Sequence, residues 1–404
     1  MEAKRRSLAV TRLVENYGNN ESLTALSLWF SIGISLLAGC DSSTKPQEQS
    51  AEQKAVVTSE STDRERWAQL YHANFAGDQA CVECHELQAE AHQRSGHSHT
   101  AVQFHDTKLA EHLAGTEYED EDRKQTWRFL KRVPQFEVQT HTEDGVDQIP
   151  VHWLLGSGIH ARTPVSVLND GQRGVEHSWT FYTNSQGLGP TPGHEDFSYN
   201  SDEPLTGFGR PLDGEDLKNC LGCHMTWGPP PSGHVDNSAL VPNINCERCH
   251  GPRKKHVDAA RRGLAETVPP LVALDTPEAE LALCSQCHRD ESMVRSDAPA
   301  NELARFQPYG LMKSRCYLKG DGTLTCSTCH DPHDAVEHDQ TYYNSICQNC
   351  HTESHPATWA KRNDKQCVTC HMPSVEWVPG VSFHDHNIRV VQPSVDSLNS
   401  DSAK

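Results

Sequence analysis

Leu324-Thr325-Cys326-Ser327-Thr328-Cys329-His330-Asp331-Pro332-His333 is the stretch on which the reading of this chain turns. Two cysteines stand three positions apart, and a histidine follows the second directly. The same Cys-x-x-Cys-His core recurs at Cys81/Cys84/His85, Cys220/Cys223/His224, Cys246/Cys249/His250, Cys284/Cys287/His288, Cys347/Cys350/His351 and Cys367/Cys370/His371. At this Cys and His content, chance supplies about 0.04 copies of the pattern. The seven copies absorb every cysteine except Cys40 and Cys316.

The spacing has a chemical reason. Cys-x-x-Cys-His is the attachment pattern of c-type haem. The two thiols bond one porphyrin as thioethers, and the adjacent histidine reaches its iron as proximal ligand. Redox Cys-x-x-Cys pairs do not repeat seven times with a following histidine. Zinc knuckles do not require that histidine, and structural disulfides keep no fixed spacing. The expected cofactor is haem c, seven copies covalently attached. His85, His224, His250, His288, His330, His351 and His371 are the proximal ligands.

Composition agrees with a cofactor-filled interior. The chain has 404 residues, of which only 35% are hydrophobic, against 16 Cys and 25 His. A chain so polar struggles to build a core from side chains alone. Porphyrins would supply the missing apolar volume. The formal charge of −19 excludes nucleic acid as a partner, since such binding needs a basic footprint.

Motif positions predict the architecture. The first motif stands apart at 81, and the other six crowd between Cys220 and His371. Close spacing forces neighbouring haems together. The fold class expected is mainly α with much irregular structure, organised around stacked haems. Helices are expected at Val257–Gly263 and Glu278–Cys287. Between motifs one and two, Thr126–Leu130, Phe136–Thr140, Ile149–Leu155 and Trp179–Thr183 are β-branched or aromatic runs bounded by turn residues. They predict a small β-rich insertion over about 120–190.

The N-terminus reads as an address. Lys4, Arg5, Arg6 and Arg12 precede an apolar run that ends in Leu37-Ala38-Gly39-Cys40. This resembles a bacterial lipoprotein signal, with residues 1–39 removed and Cys40 lipidated; a retained membrane anchor is the competing reading. Residues 40–66 are polar and form a tether. The haem domain is expected over 67–392 and a disordered tail over 393–404. The chain is thus expected to be exported, in the periplasm or at the cell surface, and held to the membrane through its lipid.

Axial ligation separates a wire from an enzyme. Eighteen histidines remain beyond the proximal set, whereas Met totals 5, so His/His ligation and low potentials are expected. His333 and His256 follow their own motifs so closely that each is better placed to reach a neighbouring haem.

Several segments resemble bacterial multihaem cytochromes. They are Cys81–His85 with Ser95-Gly96-His97, Gly156-Ser157-Gly158-Ile159-His160-Ala161-Arg162, Cys246–Pro252 with His256, Leu324–His333, and His371-Met372-Pro373 with Asp385-His386. The wider superfamily holds cytochrome c nitrite reductase, hydroxylamine oxidoreductase and the latter's tetrahaem electron acceptor. The resemblance implies His97, His160, His234, His256, His333 and His386 as distal ligands, and His355, His177 or no residue as the seventh. No motif here ends in the lysine of the nitrite reductase active haem, and an eighth motif is lacking. Neither catalytic site therefore carries over.

Three features remain. Cys316 is either a buried thiol packing as a small hydrophobe or a thiol at a reactive site beside a haem. Arg248, Arg253, Lys254, Lys255, Arg261 and Arg262 read as partners of haem propionates. Glu117, Glu119, Asp120, Glu121 and Asp122 read as a solvated loop, or a docking patch for a basic redox protein. The function expected is an electron relay between redox partner proteins. The alternative is an oxidoreductase of a small nitrogen or sulfur compound such as nitrite or hydroxylamine, working at one open-coordinated haem.

Overall fold

The computed structural model describes residues 65–389 apart from 122, 143–144, 169–170, 195–197, 232–233, 269–273, 275, 321 and 353–366. Cys40, the expected tether up to residue 64, the expected tail and His355 lie outside the described residues, while residues 65 and 66 are helical rather than tether.

Sheets, not helices, organise residues 101–212. Strands β1 (Ala101–Gln103), β6 (Trp153–Leu155), β7 (Ala161–Leu168), β8 (Arg173–His177) and β11 (Gly209–Leu212) lie side by side in that order. Strand β9 (Trp179–Tyr182) also pairs with β7, and β10 (Gly187–Pro190) with β9. A second sheet is a meander of β2 (Glu117–Asp120), β3 (Gln125–Arg132), β4 (Gln135–Thr142) and β5 (Gly145–Pro150). All these pairings are antiparallel. The expectation of a mainly α chain built round stacked haems is therefore corrected. Glycine and proline are poor strand formers, and they hid β7, β8, β10 and β11, which carry Pro164, Gly174, Gly187, Gly189, Gly209 and Pro211.

Alternation explains which faces are buried. In β3, Gln125, Trp127 and Phe129 point inward while Arg128 is exposed. Phe129 stands opposite Val138 of β4. With Phe104, Phe136, Trp179 and Phe208 they form an aromatic core. The Trp127 indole N–H is satisfied by the Gly207 carbonyl at 3.0 Å, as a buried indole requires. Glu117–Asp120 of the acidic run form strand β2 rather than a loop, and Asp120 is buried against Arg123 at 2.5 Å.

Helices carry most of the attachment motifs. Gly214–His224 ends in the second motif and packs Leu217 and Leu221 into a second core with Trp153, Leu212 and Met225. Asp213 caps it by accepting from the Glu215 and Asp216 amides. Pro277–His288 ends in the fourth motif, starts with a Thr276 cap and has Pro277 at its first turn, where proline fits best. Gln340–Cys350 carries the sixth. Cys246–His250 and Cys367–His371 are single turns formed by the third and seventh motifs themselves. Beyond the second core, buried apolar side chains thin out to scattered positions such as Leu281, Phe306 and Val381.

Candidate haem centres

The described histidines divide by which ring nitrogen the protein uses. His224 donates from Nδ1 to the Thr100 carbonyl at 2.9 Å, and His371 from Nδ1 to the Arg389 carbonyl at 2.8 Å. His288 uses Nδ1 on Gln307 Oε1 at 3.2 Å. Tyr343 gives its own proton to the Glu337 carbonyl at 3.0 Å, so its oxygen accepts from His330 Nδ1 at 3.4 Å. The same holds beyond the motifs. His97 donates from Nδ1 to the Pro332 carbonyl at 3.4 Å, and His386 to the His384 carbonyl at 2.9 Å. His333 Nδ1 lies 3.3 Å from Asp331 Oδ1. A proton fixed on Nδ1 leaves the Nε2 lone pair for a metal.

Three of these rings face proximal histidines. Centroids are 6.2 Å apart for His97 and His288, 5.9 Å for His333 and His250, and 6.2 Å for His386 and His330. Two imidazoles that share one metal at about 2 Å from each nitrogen hold their centroids roughly 6 Å apart. Burial pushes the His97 imidazole pKa down, with His288 adding to it, and pushes His386 down to about 4. A neutral imidazole is the form that ligates a metal. These residues fit an iron held between two imidazoles.

Other candidates are placed differently. His234 Nε2 is engaged by the Gln172 amide at 3.0 Å. His256 keeps a buried Nδ1 without a hydrogen-bond partner, on the helix Lys254–Ala260. That helix leads to Arg261, which pairs with Glu83 of the first motif at 2.6 Å. His160 sits edge-on to Phe383 at 5.3 Å. Gly156 turns the backbone ahead of it at φ 118°, where a Cβ would lie 2.5 Å from the Ala161 carbonyl. His177 is fully buried in β8 with Nε2 on Ser166 Oγ at 2.8 Å, which gives it a structural partner.

The sequence reading missed the groups behind the rings: Thr100, Gln307, Pro332, Tyr343 and Arg389. It also missed His384, whose Nδ1 bonds the Met372 carbonyl at 2.7 Å. Backbone carbonyls carry no sequence signal. Glu247, inside the third motif, is 3% exposed and accepts from the Ala76, Gly77 and Arg253 amides at 2.9, 2.8 and 2.7 Å. The basic cluster is partly taken by protein: Arg248 donates to the Gly222 carbonyl and Lys254 to the His72 carbonyl. Cys316 is half-buried, 3.3 Å from Ser314 Oγ.

Parts of the chain are similar to known proteins. Residues 206–251, spanning motifs two and three, match the family described as cytochrome c554 and c-prime. The multiheme cytochrome MtrA of Shewanella baltica (strain OS185) is 26% identical over 176 residues, which are 38% of this chain and 45% of that protein. The dissimilatory sulfite reductase MccA of Wolinella succinogenes is 26% identical over 195 residues, 41% of this chain and 24% of that protein. The chain thus spans less than half the length of these curated relatives. The crystal structure of the outer cell wall cytochrome OcwA aligns with a TM-score of 0.45 at 15% identity, covering 81% of this chain and 82% of that one. The motifs and the curated likenesses support one class, the multihaem c-type cytochromes, with covalently bound haem c.

Proposed function

We propose that this chain is a heptahaem c-type cytochrome that relays electrons outside the cytoplasm, held to a membrane through lipid on Cys40. The observation that carries the reading is the set of three imidazole pairs, each joining a motif histidine to one distant in sequence. His97 would complete the site of His288, His333 that of His250, and His386 that of His330. Bound haem iron supplies one-electron Fe(III)/Fe(II) exchange.

The chain's own residues do the rest. Cysteine pairs fix each porphyrin covalently, and the Nδ1 acceptors hold the rings in one tautomer and one orientation. Two imidazoles at each of these sites leave no position for a substrate. The remaining motif histidines are assigned His/His ligation from His160, His234, His256 and His355, with His355 the weakest and His234 having first to release its Nε2 from the Gln172 amide. We place the chain in the superfamily of cytochrome c nitrite reductase, hydroxylamine oxidoreductase and the tetrahaem cytochrome. Among the described residues no helix is long and apolar enough to cross a membrane. The donor and acceptor are redox proteins.

Intact mass of the mature protein tests the count: the acylated chain from Cys40 plus seven haems is expected, and fewer haems would contradict it. Likeness to a sulfite reductase gives a second reading, in which one site stays open to a small oxyanion. That site would have to lie at a motif other than the three with paired rings.

A further inference from the structure

We propose that the fifth attachment site is the passage between a cluster of sites one to four and a tail of sites six and seven, so that electrons enter and leave at the two ends. This rests on the relay reading and adds an order to it. The contacts between motifs carry the order. Site one meets site three, where the Cys246 amide donates to Asp78 Oδ1 at 3.3 Å and the Cys81 and Cys246 thiols are neighbours. Site two meets sites three and four: Arg248 donates to the Gly222 carbonyl at 3.2 Å, and Cys223 Sγ lies 3.6 Å from the Gln286 carbonyl.

Site five touches both groups. Ser327 donates to Glu280 from its amide at 2.7 Å and its hydroxyl at 2.8 Å. The Cys284 and Cys326 sulfurs lie within 4.8 Å. His333, three residues beyond site five, faces His250 of site three. On its other side, Tyr343 from the helix of site six meets His330, ring to ring at 5.5 Å. Asn344 of that helix accepts from the Cys367 amide of site seven at 2.7 Å. Solvent exposure marks the ends independently: Cys84 of site one, Cys350 of site six and Cys370 of site seven are exposed, and the other described motif cysteines are half-buried. Haem held by the motif cysteines and histidines would supply one-electron exchange between neighbouring sites, one iron being oxidised as the next is reduced, with no bond made and no proton needed.

The test uses the full-length holoprotein in a Cys316→Ser background, tethered to an electrode through Gln88→Cys beside site one or Ser374→Cys beside site seven. Without further change, all haems charge from either tether. His386→Met should raise the potential of site five and slow passage out of it at least tenfold. The fast charge from the Ser374 tether then falls below that from the Gln88 tether, since the tail side of the block is smaller than the cluster side. Equal fast charge from both tethers would overturn the proposal. His386→Ala, read the same way, serves if methionine does not load. Electron paramagnetic resonance must show one low-spin signal altered in either variant, and spectra unchanged in both would also overturn it. A parent protein that charges from neither tether would instead remove the relay reading.

Discussion

Tautomer is the decisive property at the residue scale. His97, His333 and His386 hold Nδ1 against oxygen acceptors and turn toward motif histidines. His92 and His99 instead spend Nε2 on the Ile244 and Gln93 carbonyls at 2.8 and 2.9 Å. His152 accepts the Val167 amide on Nδ1 at 3.1 Å. Residue type alone does not separate these rings; only the resemblance singled out His97, His333 and His386, and partners such as Pro332 for His97 and Ile244 for His92 come from far away in the chain. Replacing His97 with Met is expected to convert one low-spin His/His signal to another species and raise one reduction potential, with the haem mass unchanged. A redox titration followed by paramagnetic resonance checks this. His177 gives a second prediction. Burial drives its pKa down to about 3, so the unfolded chain binds the proton first as pH falls. Its contribution is complete above about pH 6.5 and is lost toward pH 3, at about 1.4 kcal/mol per pH unit. His177→Gln should flatten the acid sensitivity of β7 and β8, measured by amide hydrogen exchange. Cys316 should be the one thiol labelled after denaturation, read by peptide mass.

At the scale of elements, legibility followed side-chain pattern. Strands β3, β4 and β9 could be read from Trp127, Phe129, Phe136, Val138 and Trp179, whose β-branched or aromatic runs end at turns. Strand β7 could not, because Pro164 interrupts it, and β8 and β11 carry glycines where strand backbones meet closely. Gly209 shows why: a Cβ there would lie 2.0 Å from the Glu176 carbonyl. The helix ending in the fourth motif was legible over Glu278–Cys287 and forms as Pro277–His288. Glu247 joins elements that no pattern connects. Its carboxylate collects three amide protons, two of them from the chain just before the first motif. Glu247→Ala should cost about 3 kcal/mol, since it leaves buried amides without an acceptor. It should also open the segment before Asp78 to limited proteolysis. Glu247→Gln, which keeps an acceptor oxygen, should lose less.

The whole molecule divides its apolar volume in two ways. Residues 101–240 bury Trp127, Trp153, Trp179 and eight other fully enclosed phenylalanine or leucine side chains such as Phe104 and Leu217 in ordinary cores. The stretch from 246 to 389 holds five motifs and only scattered buried apolar residues, so its interior is assigned to porphyrin. Composition announced that shortage but could not say which half of the chain carried it, because local sequence does not reveal which strands pair and bury their apolar faces. Chain lacking haem should therefore keep protected amides in 101–212 and lose protection beyond 246. The central claim is that two imidazoles close the iron at each site. Low-temperature electron paramagnetic resonance of the ferric holoprotein, recorded with and without nitrite, sulfite or hydroxylamine, tests it most directly. The account predicts low-spin signals alone, unchanged by any of these ligands. A high-spin signal that one of them abolishes would contradict it.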